Sequence, residues 1–203
     1  NLRLYKDILS DYLENALSTG VTKNGLERAL LNINDLPGIS AVSTIEPGVE
    51  EGSSKIILNV VEDDLVTGSI TLDNYGNRYT AKQRSTVQVD INNPSKIGDK
   101  LSITKTFNTG QKFDYSQFDY EVPVGQSGLK AFASASRLEF EIGKELKTNP
   151  VSLGNADTYE IGIKYPLQRT NNQSVFLRTS IEKKEIYNET TGVLTNDKTL
   201  EKT

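Results

Sequence analysis

From residue 63 onward the chain alternates between apolar and polar residues. Val66, Ile70 and Leu72 are separated by Thr67, Ser69, Thr71 and Asp73; Val87, Val89 and Ile91 by Gln88 and Asp90; Leu101, Ile103 and Phe107 by Ser102, Thr104 and Thr106. Successive side chains of a strand point to opposite faces, so this period specifies strands with one apolar and one polar face. The pattern returns in Phe118, Tyr120, Val122 and Val124, in Leu138, Phe140 and Ile142 against Arg137, Glu139 and Glu141, in Tyr159 to Leu167, and in Val175, Leu177 and Ile181. Turn chemistry separates the runs, notably at Asn92-Asn93-Pro94 and Asn108-Thr109-Gly110. About seven antiparallel strands are predicted, most near the ~9–11 residues of a membrane-crossing strand.

Residues 1–62 read differently. Tyr5, Ile8, Leu9, Tyr12, Leu13, Ala16 and Leu17 form one apolar face at helical spacing, with Gly20 as a C-cap. Thr22 suits the N-cap of a second helix carrying Leu26, Ala29, Leu30 and Ile33, which Pro37-Gly38 stops. Two strands follow, Ile39 to Ile45 and Lys55 to Glu62.

Two architectures use strands with one apolar face. A sandwich turns that face into its core, whereas an outer-membrane barrel turns it to lipid and keeps the polar face wet. Connections near Pro94, Gly125 and Arg169 are short, while those around 143–156 and 187–199 read as longer and polar. That asymmetry favours the barrel. Phe107, Phe118, Tyr159 and Tyr165 lie on apolar parity near strand ends, as in interfacial girdles. A mean hydropathy of −0.46 leaves no run long enough for a spanning helix.

Composition narrows the function. With no Cys and no His, thiolate and imidazole catalysis and Cys- or His-ligated metals are excluded. A net charge of −4 without a basic stripe argues against nucleic acid as a partner. Acidic clusters at Glu50-Glu51, Glu62-Asp63-Asp64 and Glu139/Glu141 could pair as in a glycosidase, but solvation in turns and on polar strand faces explains them. No enzyme activity, cofactor or metal is expected.

The run Leu26-Glu27-Arg28-Ala29-Leu30-Leu31-Asn32-Ile33-Asn34-Asp35-Leu36-Pro37-Gly38 resembles the second helix and following strand of the last POTRA domain in two-partner-secretion outer-membrane transporters (TpsB), the hemolysin-activator or hemagglutinin-secretion type. Gly68 to Thr80 resembles that family's first barrel hairpin. Asn92-Asn93-Pro94 with Gly98-Asp99-Lys100-Leu101, then Val122-Pro123-Val124-Gly125, then Tyr165-Pro166-Leu167 are similar to its first periplasmic turns. The order across residues 26–185 carries the resemblance.

The resemblance implies a small α+β POTRA domain over 1–62, lacking its own first strand, followed over 63–203 by the N-terminal part of an antiparallel transmembrane β-barrel. The chain would be an internal segment of a longer transporter, with the barrel in the bacterial outer membrane and the POTRA domain in the periplasm. Its partners would be outer-membrane lipid and a secreted exoprotein, an adhesin or hemolysin, exported unfolded and β-helical once outside. Capture would use the strand Ile39, Ser40, Ala41, Val42, Ser43, Thr44 and Ile45, which the family's topology places at the POTRA sheet edge, by β-augmentation. Leu26, Leu30 and Ile33 could add a groove, although core is the simpler role for Leu30 and Ile33. Asp90, Asp119, Glu121, Arg137, Glu139, Glu141, Lys164 and Arg178 would line the lumen, either as a hydrated conduit or as ion pairs. Asn74, Gly76 and Thr80 would be hairpin chemistry, with Asn and Gly at positive φ. A POTRA-barrel assembly factor and a soluble β-rich binding module are the alternatives.

Overall fold

The structure, a computed structural model, describes residues 3–18, 22–50, 53–110, 112–143, 152–190 and 193–202. Two helices, α1 (Lys6–Leu17) and α2 (Lys23–Asn34), precede β1 (Ile39–Pro47) and β2 (Ser54–Glu62). These two strands form an antiparallel pair with Ile39 opposite Glu62 and Ile45 opposite Ile56. Thr22 caps α2 by accepting from the Gly25 N–H at 3.1 Å, as its position in the sequence predicts. The proposed cap Gly20 lies outside the described residues.

The helices bury their apolar faces against this strand pair. Leu4, Leu9, Tyr12, Ile33, Leu36, Ile39 and Ala41 form the core, with Leu58 and Val60 packed against it. Burial, reinforced by the charge of Asp35, pushes the Tyr12 hydroxyl up to about 12, so the ring stays neutral in this core. The acidic run at the end of β2 has a structural task. The Glu62 carboxylate accepts the Arg3 and Leu4 N–H groups at 2.6 and 2.9 Å, tying the first residues to the strand.

The rest of the described chain is one antiparallel sheet of eight strands in sequence order: β3 (Val66–Asp73), β4 (Arg84–Asn92), β5 (Lys100–Asn108), β6 (Phe113–Pro123), β7 (Lys130–Glu141), β8 (Ser152–Arg169), β9 (Ser174–Thr190) and β10 (Val193–Lys202). This corrects the expected seven. The stretch 187–199 is not a long polar loop: β9 runs on to Thr190, and β10 returns from Val193. Likewise β8 begins at Ser152, inside the loop expected over 143–156. These strand ends carry polar residues on both faces, so alternation cannot reveal them.

No second layer covers the sheet. Among the described residues, no leucine, isoleucine, valine or aromatic side chain of the eight strands is buried, and the one large apolar side chain that is, Pro166, lies at the rim near the β8–β9 turn. Ile70 is 76% exposed, Ile161 65% and Ile181 58%. A sandwich core of this size would bury such residues almost completely, so the sandwich architecture is not the one adopted. The sheet is open, with β3 and β10 at its edges.

The β4–β5, β6–β7 and β8–β9 turns, the three expected to be short, lie along one rim, and each touches the helical module. The expected asymmetry is corrected, because the β5–β6 and β9–β10 connections on the opposite rim, 109–112 and 191–192, are no longer than these. In the β4–β5 turn Lys96 accepts the Tyr5 N–H at 3.1 Å, and Gly98 adopts φ +86 where a Cβ would sit 2.9 Å from Leu36. Near the β6–β7 turn, the Lys130 ammonium donates to the Asp35 carbonyl at 2.8 Å and pairs with Glu121 at 2.7 Å. At the β8–β9 turn the Arg169 guanidinium holds both Asp35 carboxylate oxygens at 2.8 and 2.9 Å, and Glu27 accepts the Asn171 N–H at 2.5 Å. These contacts fix the helical module against the rim at three points.

Candidate functional site

Two surfaces present recognisable chemistry: one edge of the strand pair, and one face of the large sheet.

Among the described residues β1 pairs only with β2, and its other long edge faces α2. Its side chains alternate as the sequence predicts, Ile39 and Ala41 buried and Ser40, Val42 and Thr44 exposed. A groove of about 570 Å³ runs between the edge and α2, with Leu26 and Leu30 on the helix side, Ser43 and Ile45 on the strand side, and Asn171 of the β8–β9 turn at its margin. The expected assignment of core positions is corrected here. Ile33 is core, 0% exposed, while Leu30 lines the groove. The edge is not uniform. Asn34, the last residue of α2, turns its amide onto Ala41, donating to the carbonyl at 3.0 Å and accepting the N–H at 2.6 Å. The Ile39 N–H donates to the Leu36 carbonyl at 3.2 Å.

The register assigns each strand residue of the large sheet to a face. Asp90, Asp119, Glu121, Lys164 and Arg178 share one, and each has a neighbour there. Asp90 accepts from Ser102 at 2.6 Å and pairs with Lys100 at 3.3 Å. Asp119 accepts from Gln117 at 2.8 Å. Lys164 stands 4.5 Å over the Phe176 ring. Arg178 pairs with Glu160 at 2.8 Å and stacks 4.0 Å over Phe132.

Arg137, Glu139 and Glu141 do not belong to that face. Arg137 is opposite Ser116 and Asp157, in the same file of alternate residues as Phe118 and Tyr159. The assignment fails because β7 inverts the usual signal. Small Ala131, Ala133 and Ala135 occupy the apolar face, while Phe132, Leu138 and Phe140 occupy the polar one. The Phe132 and Phe140 rings cover Gly162 and Gly154 of β8, where an added Cβ would come within 2.6 and 2.4 Å of ring carbon. The aromatics therefore fill space left by glycine. On the other face, Lys105, Arg137, Asp157 and Glu185 lie in or beside one lateral row of the register. Their partners are near: Lys105 with Asp114, Arg137 with Glu139 at 2.8 Å, and Lys183 with Glu185 at 2.8 Å. In β6 to β9 the apolar side chains of this face lie mainly on the short-turn side of this charged row, with Leu153 and Tyr187 beyond it. Toward β3 the row continues through Val87 and Ile70, and Leu72 and Phe107 lie beyond it.

The first hairpin also differs in mechanism from its expectation. Neither Asn74 nor Gly76 has positive φ; among the described non-glycine residues that conformation falls to Asn93 and Lys96. Gly76 is needed for close approach, since a Cβ there would stand 1.8 Å from the Ala81 carbonyl oxygen. The Gly76 N–H donates to the Lys82 carbonyl and the Thr80 N–H to that of Asn77, at 3.1 and 3.3 Å.

This chain has relatives among known proteins. Residues 52–200 match the sequence family described as haemolysin secretion/activation protein ShlB/FhaC/HecB. The chain belongs to that family. Its members are the two-partner-secretion transporters, β-barrel proteins of the outer membrane. The heme/hemopexin transporter protein HuxB of Haemophilus influenzae is 23% identical over 190 residues, 94% of this chain and 33% of that protein. The hemolysin transporter protein HpmB of Proteus mirabilis is 27% identical over 169 residues, 80% of this chain and 30% of that protein. The solved structure of CdiB from Escherichia coli superposes with a TM-score of 0.75 at 20% identity, covering 95% of this chain and 38% of that one. CdiB from Acinetobacter baumannii gives 0.73 at 17% identity, again over 95% of this chain and 38% of that one. The chain thus spans about a third of the length of the curated relatives it matches.

The residues that lock the module to the sheet rim were not singled out in the sequence. Asp35 is inside the Leu26 to Gly38 run that carries the family resemblance, and Arg169 follows Tyr165-Pro166-Leu167. Their pairing spans 134 positions, which no local pattern encodes.

Proposed function

We propose that this chain is the capture module and first part of the conduit of a transporter that exports a large partner polypeptide, an adhesin or hemolysin, across the outer membrane. Residues 1–62 act as its periplasmic POTRA domain, and residues 63–203 as the N-terminal part of its barrel. The partner arrives unfolded, adds a strand at the β1 edge, and passes along the sheet face that carries Asp90, Asp119, Glu121, Lys164 and Arg178. Charges of both signs there keep the face wet without holding a chain of either charge. No bond is made or broken in the partner, and its folding outside, as a β-helix, supplies direction.

The observation that carries this reading is the uncovered apolar face of the eight strands. Lipid is the medium in which such a face is stable, and across β6 to β9 the row of charges through Arg137 marks where that face leaves it. The rim of short turns then faces the periplasm with the helical module on it, which sets the β1 groove beside the barrel mouth.

Ser43→Pro in the full-length transporter tests the capture step. The Ser43 N–H lies on the free edge, so the β1–β2 pairing keeps its hydrogen bonds and only an incoming strand loses one. Partner protein in the medium, normalised to surface transporter, falls about tenfold or more. Unchanged export would refute edge capture.

A further inference from the structure

The Asn34 amide makes the two hydrogen bonds that a paired strand residue would make with Ala41. Backbone groups of β1 alternate in direction. The Gly38 carbonyl accepts from Asp63 and the Gly48 N–H donates to Ser53, so even-numbered residues bond toward β2. Odd-numbered residues therefore point to the free edge, and each has a distinct state. Ile39 donates to Leu36, Ala41 is occupied by Asn34, and Pro47 has no N–H to offer. Ser43 and Ile45 remain, and both line the groove.

We propose that Asn34 sets the length and register of strand docking: an exported segment pairs with Ser43 and Ile45 and ends against the Asn34 amide. This rests on the reading of β1 as the capture edge and adds to it a defined footprint of two residue pairs. Such a footprint suits a transporter that must release what it binds. Each further pair of backbone hydrogen bonds would strengthen binding about tenfold or more, and a full-length strand pairing would hold the partner at the edge. Pro47 bounds the site at one end and Asn34 at the other. The boundary at Asn34 is made by an exposed side chain on a helix end, so substitution removes it without touching the core.

The test uses the full-length transporter in nanodiscs and labelled peptides of alternating Thr and Val with terminal lysines, about five and about nine residues long. With Asn34 present, lengthening the peptide changes Kd by less than about twofold, because the added residues meet an occupied edge. In Asn34→Ala the longer peptide binds about tenfold more tightly than the shorter. Equal length dependence in the two proteins overturns the proposal. Residue-resolved hydrogen exchange on the unsubstituted transporter gives a second reading that does not depend on the variant. The Ala41 amide is already slow without peptide, while Ser43 and Ile45 are fast and become slow when peptide is added. A fast Ala41 amide overturns the role of Asn34 alone. Peptide binding that leaves Ser43 and Ile45 fast, or that survives Ser43→Pro undiminished, overturns the capture edge itself.

Discussion

An arginine in place of Ile161 lowers the stability of the transporter in lipid by about 2–4 kcal/mol. Ile161 is 65% exposed, pairs with Ala133 and Ile181 across its neighbouring strands, and stands among apolar side chains on the face assigned to lipid. A guanidinium there must be buried in hydrocarbon, or the bilayer must thin around it. Ser134 is one position further along the next strand and points to the other face, opposite Asp119 and Glu160. Ser134→Arg therefore stays within about 1 kcal/mol, since water and two carboxylates surround the new charge. Denaturant titration of both variants refolded into the same lipid vesicles measures the contrast. Equal costs, or a larger cost at Ser134, would mean that the faces are assigned the wrong way round.

The second large effect is expected where the helical module meets the sheet. Asp35→Ala leaves the Arg169 guanidinium, only 18% exposed, without its bidentate partner, and weakens the docking of the module by about 2–3 kcal/mol. The pair is shielded but not deeply buried, so the cost falls below that of breaking a fully buried ion pair. Lys130 still reaches the Asp35 carbonyl and Glu121, because a side-chain truncation spares the backbone. A double-mutant cycle with Arg169→Ala, read out by the protease sensitivity of the segment between β2 and β3, isolates the pairwise contribution. A coupling near zero would show that the turns and apolar contacts alone fix the module. Export should fall with docking, because the groove margin includes Asn171 from the same turn.

How much of this was legible in the sequence differs by element. The helices and the strands up to β6 follow from periods of 3.6 and two, because each has one face buried, or destined for lipid, and one polar face. Thr22, Pro37 and Gly38 mark boundaries through local chemistry, and local chemistry is what a sequence displays directly. Legibility ends where that contrast ends. Beyond the row through Arg137 both faces of β8, β9 and β10 carry polar residues, so their outer ends read as loop. In β7 the alanines on the apolar face and the phenylalanines over Gly154 and Gly162 invert the pattern, and only the register with β6 and β8 corrects Arg137, Glu139 and Glu141. Gly76 was identified for the right hairpin but for the wrong reason, since closeness to the Ala81 carbonyl leaves no trace in composition. Asn34 and Asp35 adjoin in the sequence, yet one seals a strand edge and the other grips the β8–β9 turn. Neither role can be read before the chain is folded.

Site-specific photocross-linking during export tests the central claim most directly. A photoreactive residue placed singly at Ser43, Asp119 and Ile161 of the full-length transporter, with the partner stalled in transit, reports what each surface touches. Partner adducts at Ser43 and Asp119, with lipid adducts and no partner at Ile161, are the expected result. Partner adducts at Ile161 with none at Asp119 would contradict the account.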